Sequence, residues 1–114
     1  MDECQNFYKI NFQIMRLIDD GIVNPSIGEA KPAVAVKIES ISNHARKRGI
    51  SVEEAQFFVD TAKIMFGQGN RNMYLSRDGS STVLIENSRL ISVYRKTDFD
   101  KAIIAILEVL NNAL

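Results

Sequence analysis

Residues 71–96 most restrict the possible folds, because apolar and polar residues alternate there in three short segments. The segments RNMYLSRDG, STVLIEN and RLISVYRK are separated by the dipeptides Asp78-Gly79 and Asn87-Ser88. These residue types tolerate the positive φ of a tight turn, and alternation with period two is typical of a strand with one buried face. The sequence therefore predicts an antiparallel β-meander of three to four strands.

Strict alternation also predicts which side chains share a face of this meander. In the middle strand, Val83 and Ile85 are expected to face one way, and Thr82, Leu84 and Glu86 the other. The same rule applied to the last strand places side chains in two further sets: Leu90, Ser92 and Tyr94 on one face, Ile91 and Val93 on the other.

Helical periodicity precedes the meander. The stretch CQNFYKINFQIMRLIDDG predicts a first helix that ends at Gly21. Ser51 and Glu54 in SVEE form a capping box, in which the Ser51 hydroxyl accepts from the Glu54 amide and the Glu54 side chain reaches back. The apolar spacing after this box predicts a helix that continues through Phe66 and is closed by Gly67.

Two further segments complete the predicted order. AVAVKIESIS fits both a strand and a helix face, and we favour a short extended piece that turns helical near Ser42 and ends at Gly49. After the meander, Thr97 is expected to cap a closing helix with Asp100 in its first turn. The order of N-terminal helices, antiparallel meander and C-terminal helix defines an α+β domain.

The composition excludes several classes of site. A chain of 114 residues is long enough for one domain with its own core. Cys4 is the one cysteine and His44 the one histidine, so neither a disulfide within the chain nor a zinc or iron–sulfur site built from these ligands can form. No clustered acidic motif supports Mg²⁺ binding, and no apolar run approaches the ~20 residues that span a bilayer. We therefore expect no metal, no cofactor and no membrane insertion of the isolated domain.

The net charge of zero is unevenly distributed. Residues 1–43 carry four Lys or Arg against six Asp or Glu, residues 44–96 carry nine against five, and residues 97–114 carry one against three. A basic middle segment is where a polyanion would bind, but a difference of this size also arises by chance.

His44 stands in SISNHARKRGIS, followed by Arg46, Lys47 and Arg48. Cleavage of RNA without a metal needs a base for the 2′-hydroxyl, an acid for the leaving oxygen and donors for the phosphorane. Histidine titrates near neutral pH, and arginine donates two parallel hydrogen bonds to a phosphate. Further candidates on the meander are Arg71, Arg77, Ser81, Thr82, Arg89, Tyr94, Arg95 and Lys96.

Each candidate also has an ordinary structural explanation. A histidine on a short helix is more often a surface or packing residue, and a run of arginines is often a solvated face. Ser81 and Thr82 follow a turn, where hydroxyls commonly make local hydrogen bonds, and Tyr94 fits a half-buried strand position. The residue types and spacing leave both interpretations open.

Two stretches together resemble a known group of proteins. SNHARKRGISVEEA places a histidine on a helix ahead of an RGIS-x-E-E-A helix start. GSSTVLIENSRLISVYRKTDFD contains strands of the types G-S-x-T-V and L-I-S-x-Y and a D-F-D motif that leads into the last helix. The pattern is similar to that of ribonuclease toxin domains of the barnase/EndoU/colicin/RelE-like (BECR) fold, found in polymorphic toxins that include contact-dependent growth inhibition systems. It covers residues 40–110.

The resemblance implies a toxin-like nuclease with residues 40–114 as its catalytic core. Residues 1–39 lie outside the match, and we expect them to form a helical cap within the same single domain of residues 1–114. The resemblance further implies metal-independent cleavage of RNA, above all tRNA, by an effector that is secreted or delivered from the cell surface and acts in the cytoplasm of a target bacterial cell. The implied partner is a cognate immunity protein.

The resemblance also implies roles for single residues. His44 is the base or acid, Arg48 is the catalytic cation, Thr82 or its neighbour Ser81 is the hydroxyl on the phosphate, and Tyr94 is a second hydroxyl. Substrate binding and charge stabilisation are assigned to Arg46, Arg71, Arg89 and Lys96.

Two features depart from this pattern. The second catalytic histidine of the EndoU branch is absent, and a net charge of zero is less basic than expected of a nuclease. The zero charge and the acidic flanks support a different class, a non-enzymatic protein-binding domain such as an immunity protein, an antitoxin or a phage accessory module.

Overall fold

Six strands form one mixed sheet in the computed structural model, which describes residues 3–23, 28–68 and 70–113. Helices cover both faces of the sheet, so the domain is α+β. The elements in chain order are α1 (Glu3–Asp19), β1 (Glu29–Pro32), β2 (Ser40–Ile41), α2 (Asn43–Lys47), α3 (Val52–Thr61), β3 (Ile64–Gln68), β4 (Arg71–Leu75), β5 (Ser81–Glu86), β6 (Arg89–Arg95), a 3₁₀ turn (Lys96–Asp98) and α4 (Lys101–Ala113).

The predicted meander is confirmed: β4, β5 and β6 are consecutive strands, and each pairs antiparallel with the next. Gly79, Asn87 and Ser88 have φ of 73°, 51° and 63°, so both predicted turns use the left-handed conformation. The prediction of a purely antiparallel sheet of three to four strands is wrong, because the order is β1-β3-β4-β5-β6-β2 and β2 pairs parallel to β6. β1 and β2 have four and two residues, too few to show an alternating pattern of their own.

The helix predicted to run through Phe66 ends earlier. α3 stops at Thr61, and Ile64–Gln68 is a strand that pairs with β1 and β4. Ile64 and Phe66 pack with α1 and α4, whereas Met65 packs on the opposite face of the sheet, against the core that α3 covers. The same apolar residues fit both periods, and pairing with two neighbouring strands decides for the strand.

Within the segment 1–39, expected to be a helical cap, α1 covers Glu3–Asp19 and residues 29–32 form the edge strand β1. The Asn11 side chain of α1 acts as a substitute strand partner for β1. Its Nδ2 donates to Ala30 O at 3.0 Å, and its Oδ1 accepts from Ala30 N at 2.6 Å. A side-chain amide thus satisfies both backbone groups of an edge residue and holds α1 in place.

The sheet has a hydrophobic core on each face. On the α2/α3 face, Tyr74 and Val83 pack under the two short helices, and the Tyr74 hydroxyl donates to Val34 O at 2.5 Å. Burial raises the pKa of Tyr74. On the α1/α4 face, Ile10 and Ile14 of α1 pack with β3, β4 and α4.

A β-bulge at Ile91 overturns the predicted faces of the last strand. Ile85 pairs with Leu90 and Leu84 pairs with Ser92, so Ile91 is an extra residue in β6. Leu90 therefore lies on the same face as Val93, in the core under α2 and α3. Alternation placed Leu90 with Tyr94, and the inserted residue reverses that relation.

The predicted helix starts are confirmed in two of three cases. Ser42 caps α2, and the Ser51 hydroxyl accepts from Glu54 N at 3.0 Å, although the Glu54 carboxylate binds Arg95. The prediction of Thr97 as a cap is wrong, because Asp100 Oδ1 accepts from Ile103 N at 3.0 Å and α4 starts at Lys101. A helix long and apolar enough to cross a membrane does not occur among the described residues.

Candidate functional site

The short helix α2 lies along the outer edge of β6 and is tied to it at both ends. At its N-terminus, Ser42 N donates to Leu90 O at 2.9 Å, and the Ser42 hydroxyl donates to Ile91 O at 2.6 Å. At its C-terminus, Arg48 Nε donates to Val93 O at 2.6 Å. These bonds satisfy the strand edge that β2 leaves unpaired and place α2 firmly against the bulge.

His44 lies on α2 one helical turn before Arg48. The Arg48 amide donates to His44 O at 3.2 Å, so the two side chains, four residues apart, share one flank of the helix. Ala45 points into the core and is fully buried, whereas His44 is exposed. The histidine is therefore held on a docked backbone while its imidazole is open to solvent.

Arg48 connects this helix to the end of β6. Its Nη2 lies 2.7 Å from Asp98 Oδ2, and its guanidinium carbon lies 5.5 Å from the centroid of the Tyr94 ring. The pKa of Asp98 is lowered by the hydrogen bond from the Arg95 amide and by the bond from Arg48. The Arg48 cation is thus fixed beside a tyrosine by a backbone carbonyl, a carboxylate and a ring face.

The opposite side of β5 and β6 from α2 and α3 carries hydroxyl groups. Thr82 is the cross-strand partner of Tyr94 and lies on the α1/α4 face together with Ser92. Thr82 is 3% exposed and Ser92 2% exposed, and neither hydroxyl oxygen has a hydrogen-bond partner among the described residues. Two buried hydroxyls without partners on one patch are costly, and such groups require an explanation.

Ser81 lies on the other face of β5 from Thr82. Its amide donates to the Ser76 hydroxyl at 3.0 Å, and its hydroxyl lies 3.4 Å from the hydroxyl of Ser80. Asp78 accepts from the hydroxyls of Ser80 and Ser76 and from the Ser80 amide, and these bonds lower the pKa of Asp78 to about 2. Ser81 therefore belongs to the network of the β4–β5 turn, and Thr82 is the hydroxyl beside Tyr94.

The predicted basic residues do not all converge. Arg71 lies 3.3 Å from Glu86, which pairs with Arg89 at the far end of the hairpin. Thr82 is four residues from Glu86 along β5, which corresponds to about 13 Å. Arg71 and Arg89 are therefore separated from the Thr82–Tyr94 end of the sheet.

The remaining predicted cations are spread around α2 and the sheet end. Arg46 is two residues beyond His44, about 200° around the helix, so it lies on a different flank. Lys96 follows β6 directly and is exposed, Arg77 lies in the β4–β5 turn, and Arg95 binds Glu54 at 2.8 Å. Among the described residues, Arg48 is the predicted cation whose guanidinium lies over the Tyr94 ring.

Sequence reasoning gave Ser92 no role in the site. The available signal was its position two residues before Tyr94, which indicates a shared face in a strand. What alternation could not show is that its oxygen is buried without a partner, because that depends on the helices packed over the sheet.

A cluster of three or more metal-binding side chains is absent from residues 3–23, 28–68 and 70–113. No protein family, no curated protein and no solved structure matches the chain. The geometry and the chemistry of the residues are therefore the grounds on which a function is proposed.

Proposed function

We propose that this chain is a ribonuclease toxin domain of the BECR type, which cleaves RNA, primarily tRNA, by metal-independent attack of the 2′-hydroxyl. It acts as a delivered effector in the cytoplasm of a target bacterial cell and is neutralised by an immunity protein in the producer. One observation carries the proposal: the flank of α2 that holds His44 also holds Arg48, whose guanidinium lies over Tyr94, the cross-strand neighbour of Thr82.

His44 is the proton-transfer group in this proposal. It is exposed, so a substrate hydroxyl can approach it, and both ends of its helix are bonded to β6. A rigid backbone with an accessible imidazole suits general base or general acid catalysis, which depends first on position. Arg48 stabilises the charge of the phosphorane, and Tyr94 supplies a hydroxyl beside it.

Thr82 contacts the phosphate only after a local movement. Its hydroxyl oxygen and that of Ser92 are shielded from solvent, so the side chains above them have to move before RNA can reach either. The unpaired hydroxyls then gain a hydrogen-bond partner that the free protein lacks, which favours the bound state. Arg46 and Lys96 bind RNA beside this centre, whereas Arg71 and Arg89 contact the RNA at the far end of the β5–β6 hairpin.

The first test is cleavage of total tRNA in EDTA, followed on a denaturing gel, by the wild type, by His44→Ala and by Asn43→Ala. Asn43 is the exposed neighbour of His44 and serves as the matched control. The His44 variant is expected to lose about 10²- to 10⁴-fold in rate, the usual contribution of a positioned acid or base, with its melting temperature unchanged. A wild-type rate in the His44 variant would remove that residue from the mechanism, and intact tRNA in all lanes would contradict the ribonuclease proposal.

A protein-binding domain without activity is the second candidate, and an exposed apolar stripe on α1 favours it. Tyr8, Phe12 and Met15 project from one face of that helix into solvent. Toxicity separates the two functions: an active ribonuclease prevents growth when the gene is expressed alone, and a binding domain does not. The His44→Ala gene is the control, since it should restore growth if toxicity comes from RNA cleavage.

A further inference from the structure

The cation that the proposed site offers to a phosphate already binds an anion. Arg48 Nη2 lies 2.7 Å from Asp98 Oδ2, and the two side chains are 27% and 36% exposed. Carboxylates and phosphates bind a guanidinium through the same N–H groups. In the free protein, the Asp98 carboxylate therefore occupies part of the surface of Arg48 that a phosphate oxygen of RNA would use.

Asp98 is held there as a charged group. Its Oδ2 also accepts from the Arg95 amide at 3.0 Å, and this bond together with the bond from Arg48 lowers the pKa of Asp98. The Arg95 guanidinium is paired with Glu54 at 2.8 Å, so Arg48 is the side chain that binds Asp98 among the described residues. A phosphate that approaches Arg48 meets this negative charge, and like charges side by side oppose binding.

The two partners are held with different firmness. Arg48 follows the docked helix α2, its Nε donates to Val93 O at 2.6 Å, and its guanidinium lies over the Tyr94 ring. Asp98 is the last residue of an exposed 3₁₀ turn of three residues. Exposed ion pairs are weak, because solvent screens them and two side chains lose freedom. When a phosphate replaces the carboxylate, Arg48 therefore stays in place and Asp98 moves.

The turn that carries Asp98 leads directly into α4. It continues through Phe99 to Asp100, whose Oδ1 accepts from the Ile103 amide in the first turn of that helix. Helix α4 packs on the face of the sheet on which Thr82 is buried. The same carboxylate thus connects the phosphate-binding cation to the start of a helix on the face that has to open before Thr82 is reached.

We propose that the Arg48–Asp98 ion pair is an autoinhibitory contact: Asp98 occupies the phosphate-binding surface of Arg48 in the free protein, and a phosphodiester of the RNA substrate displaces it. The displacement releases the beginning of α4 and thereby gives the RNA access to Thr82. This inference rests on the proposed function, since it takes Arg48 as the residue that binds the phosphate. The substrate itself thus opens the site.

Fluorescence anisotropy with a labelled DNA oligonucleotide tests the contact, because DNA carries phosphodiesters but no 2′-hydroxyl that could react. Asp98→Asn is expected to lower the dissociation constant about 5-fold, the effect of one exposed charge pair. Asp100→Asn is the matched control, since it removes the same charge two residues further on and asparagine also caps a helix. It should leave the dissociation constant near the wild-type value. The neighbouring cations Lys96 and Lys101 are present in both variants.

Two further measurements follow the mechanism. In an Arg48→Gln background, Asp98→Asn should give no gain in binding, because the gain acts through Arg48. In the wild type, the amides of Ile103 and Ile104 at the start of α4 should exchange hydrogen faster with the oligonucleotide bound than without it. If circular dichroism shows Asp98→Asn unfolded, Asp98→Ser takes its place with the same expected gain, because a serine hydroxyl also accepts from a backbone amide.

Unchanged or weaker binding by Asp98→Asn overturns the proposal. An equal gain in Asp100→Asn, a gain that persists without Arg48, or unchanged exchange at the start of α4 overturns it as well. Weaker tRNA cleavage with unchanged oligonucleotide binding would make Asp98 a positioning residue for Arg48 instead. The two proposals fail separately: tRNA cleavage without the binding gain removes only the autoinhibitory contact, whereas the gain without tRNA cleavage removes only the ribonuclease and leaves Asp98 as a competitor of phosphate at Arg48.

Discussion

The face of β5 and β6 that packs against α2 and α3 is aliphatic except for Ser81 beside the β4–β5 turn, whereas the opposite face of the same two strands carries the hydroxyl groups of Thr82, Ser92 and Tyr94. Val83, Leu90 and Val93 are buried on the first face in a continuous core. On the second face, Thr82 and Ser92 are as well buried as these aliphatic side chains but have no hydrogen-bond partners among the described residues.

The two faces of this hairpin therefore contribute differently: one stabilises the fold, and the other carries the groups that the proposed reaction uses. Burial of an aliphatic side chain stabilises the fold, whereas burial of an unpaired hydroxyl costs about 1–3 kcal/mol. The α2/α3 face therefore explains why the hairpin folds. The hydroxyl groups of Thr82 and Ser92 make no hydrogen bond among the described residues, which is the reason that they enter the proposed site together with Tyr94.

The largest effect is expected from the residue that the bulge turns into the aliphatic core. Leu90→Ala should lower the free energy of unfolding by about 2–5 kcal/mol, because a fully buried leucine leaves a cavity. Ile91→Ala, at the extra residue of the bulge, should cost on the order of 1 kcal/mol since that side chain is partly exposed. Urea denaturation measures both. The reverse ranking of the two variants would mean that β6 alternates without a bulge.

A pair of opposite substitutions with the same volume tests the two faces directly. Val83→Thr places an unpaired hydroxyl on the aliphatic face and should destabilise by about 1–3 kcal/mol. Thr82→Val removes an unpaired hydroxyl and should leave stability unchanged or raise it by about 1 kcal/mol. In the tRNA assay, the same Thr82 variant should lose activity.

Equal destabilisation by both substitutions in urea would show that the Thr82 hydroxyl has a partner after all. Ser81→Ala is the control for activity, because its hydroxyl lies in the turn network on the other face. An activity loss in Ser81→Ala larger than that in Thr82→Val would exchange the roles proposed for the two hydroxyls.

The smallest effect concerns the β4–β5 turn, whose hydrogen-bond network includes Ser81. The pKa of Asp78 is about 2 in the folded protein, lowered by bonds from Ser80 and Ser76, against about 3.9 in an unfolded chain. The unfolded state thus binds more protons between these values, so the stabilisation is complete above about pH 4 and is lost as the pH falls to about 2.

Thermal unfolding between pH 2 and pH 6 measures this contribution. Asp78→Asn is expected to lower the melting temperature at pH 6 and to flatten its decrease in acid. Asp60→Asn is the matched control, because that exposed carboxylate accepts a hydrogen bond from Gln56 and lies outside the turn. An equal change in both variants would mean that the turn network contributes nothing specific.

Much of the local structure could be predicted because its signals are local. The turn dipeptides Asp78-Gly79 and Asn87-Ser88 define the meander, and the caps at Ser42 and Ser51 mark two helix starts. The errors lie where the same residues fit two structures. Residues 64–68 suit a helix or a strand, and neighbouring strands on both sides decide between them.

For the candidate site, too, the residue types could be predicted from the sequence, whereas their arrangement could not. That histidine, arginine, tyrosine and threonine provide the chemistry for metal-free RNA cleavage follows from residue types alone. That Arg48 lies over Tyr94 depends on Asp98 and on the carbonyl of Val93, which are 50 and 45 residues away from Arg48 in sequence. The separation of Arg71 and Arg89 from this end is likewise a matter of strand register.

The sequence by itself determined the meander of β4, β5 and β6, the absence of a disulfide within the chain and the inventory of reactive groups, since each depends on residue type and short-range spacing. The tertiary structure decided which side chains share a face. One inserted residue at Ile91 reverses the alternation of β6, and no local preference encodes a bulge whose carbonyl is bound by a helix cap 49 residues earlier.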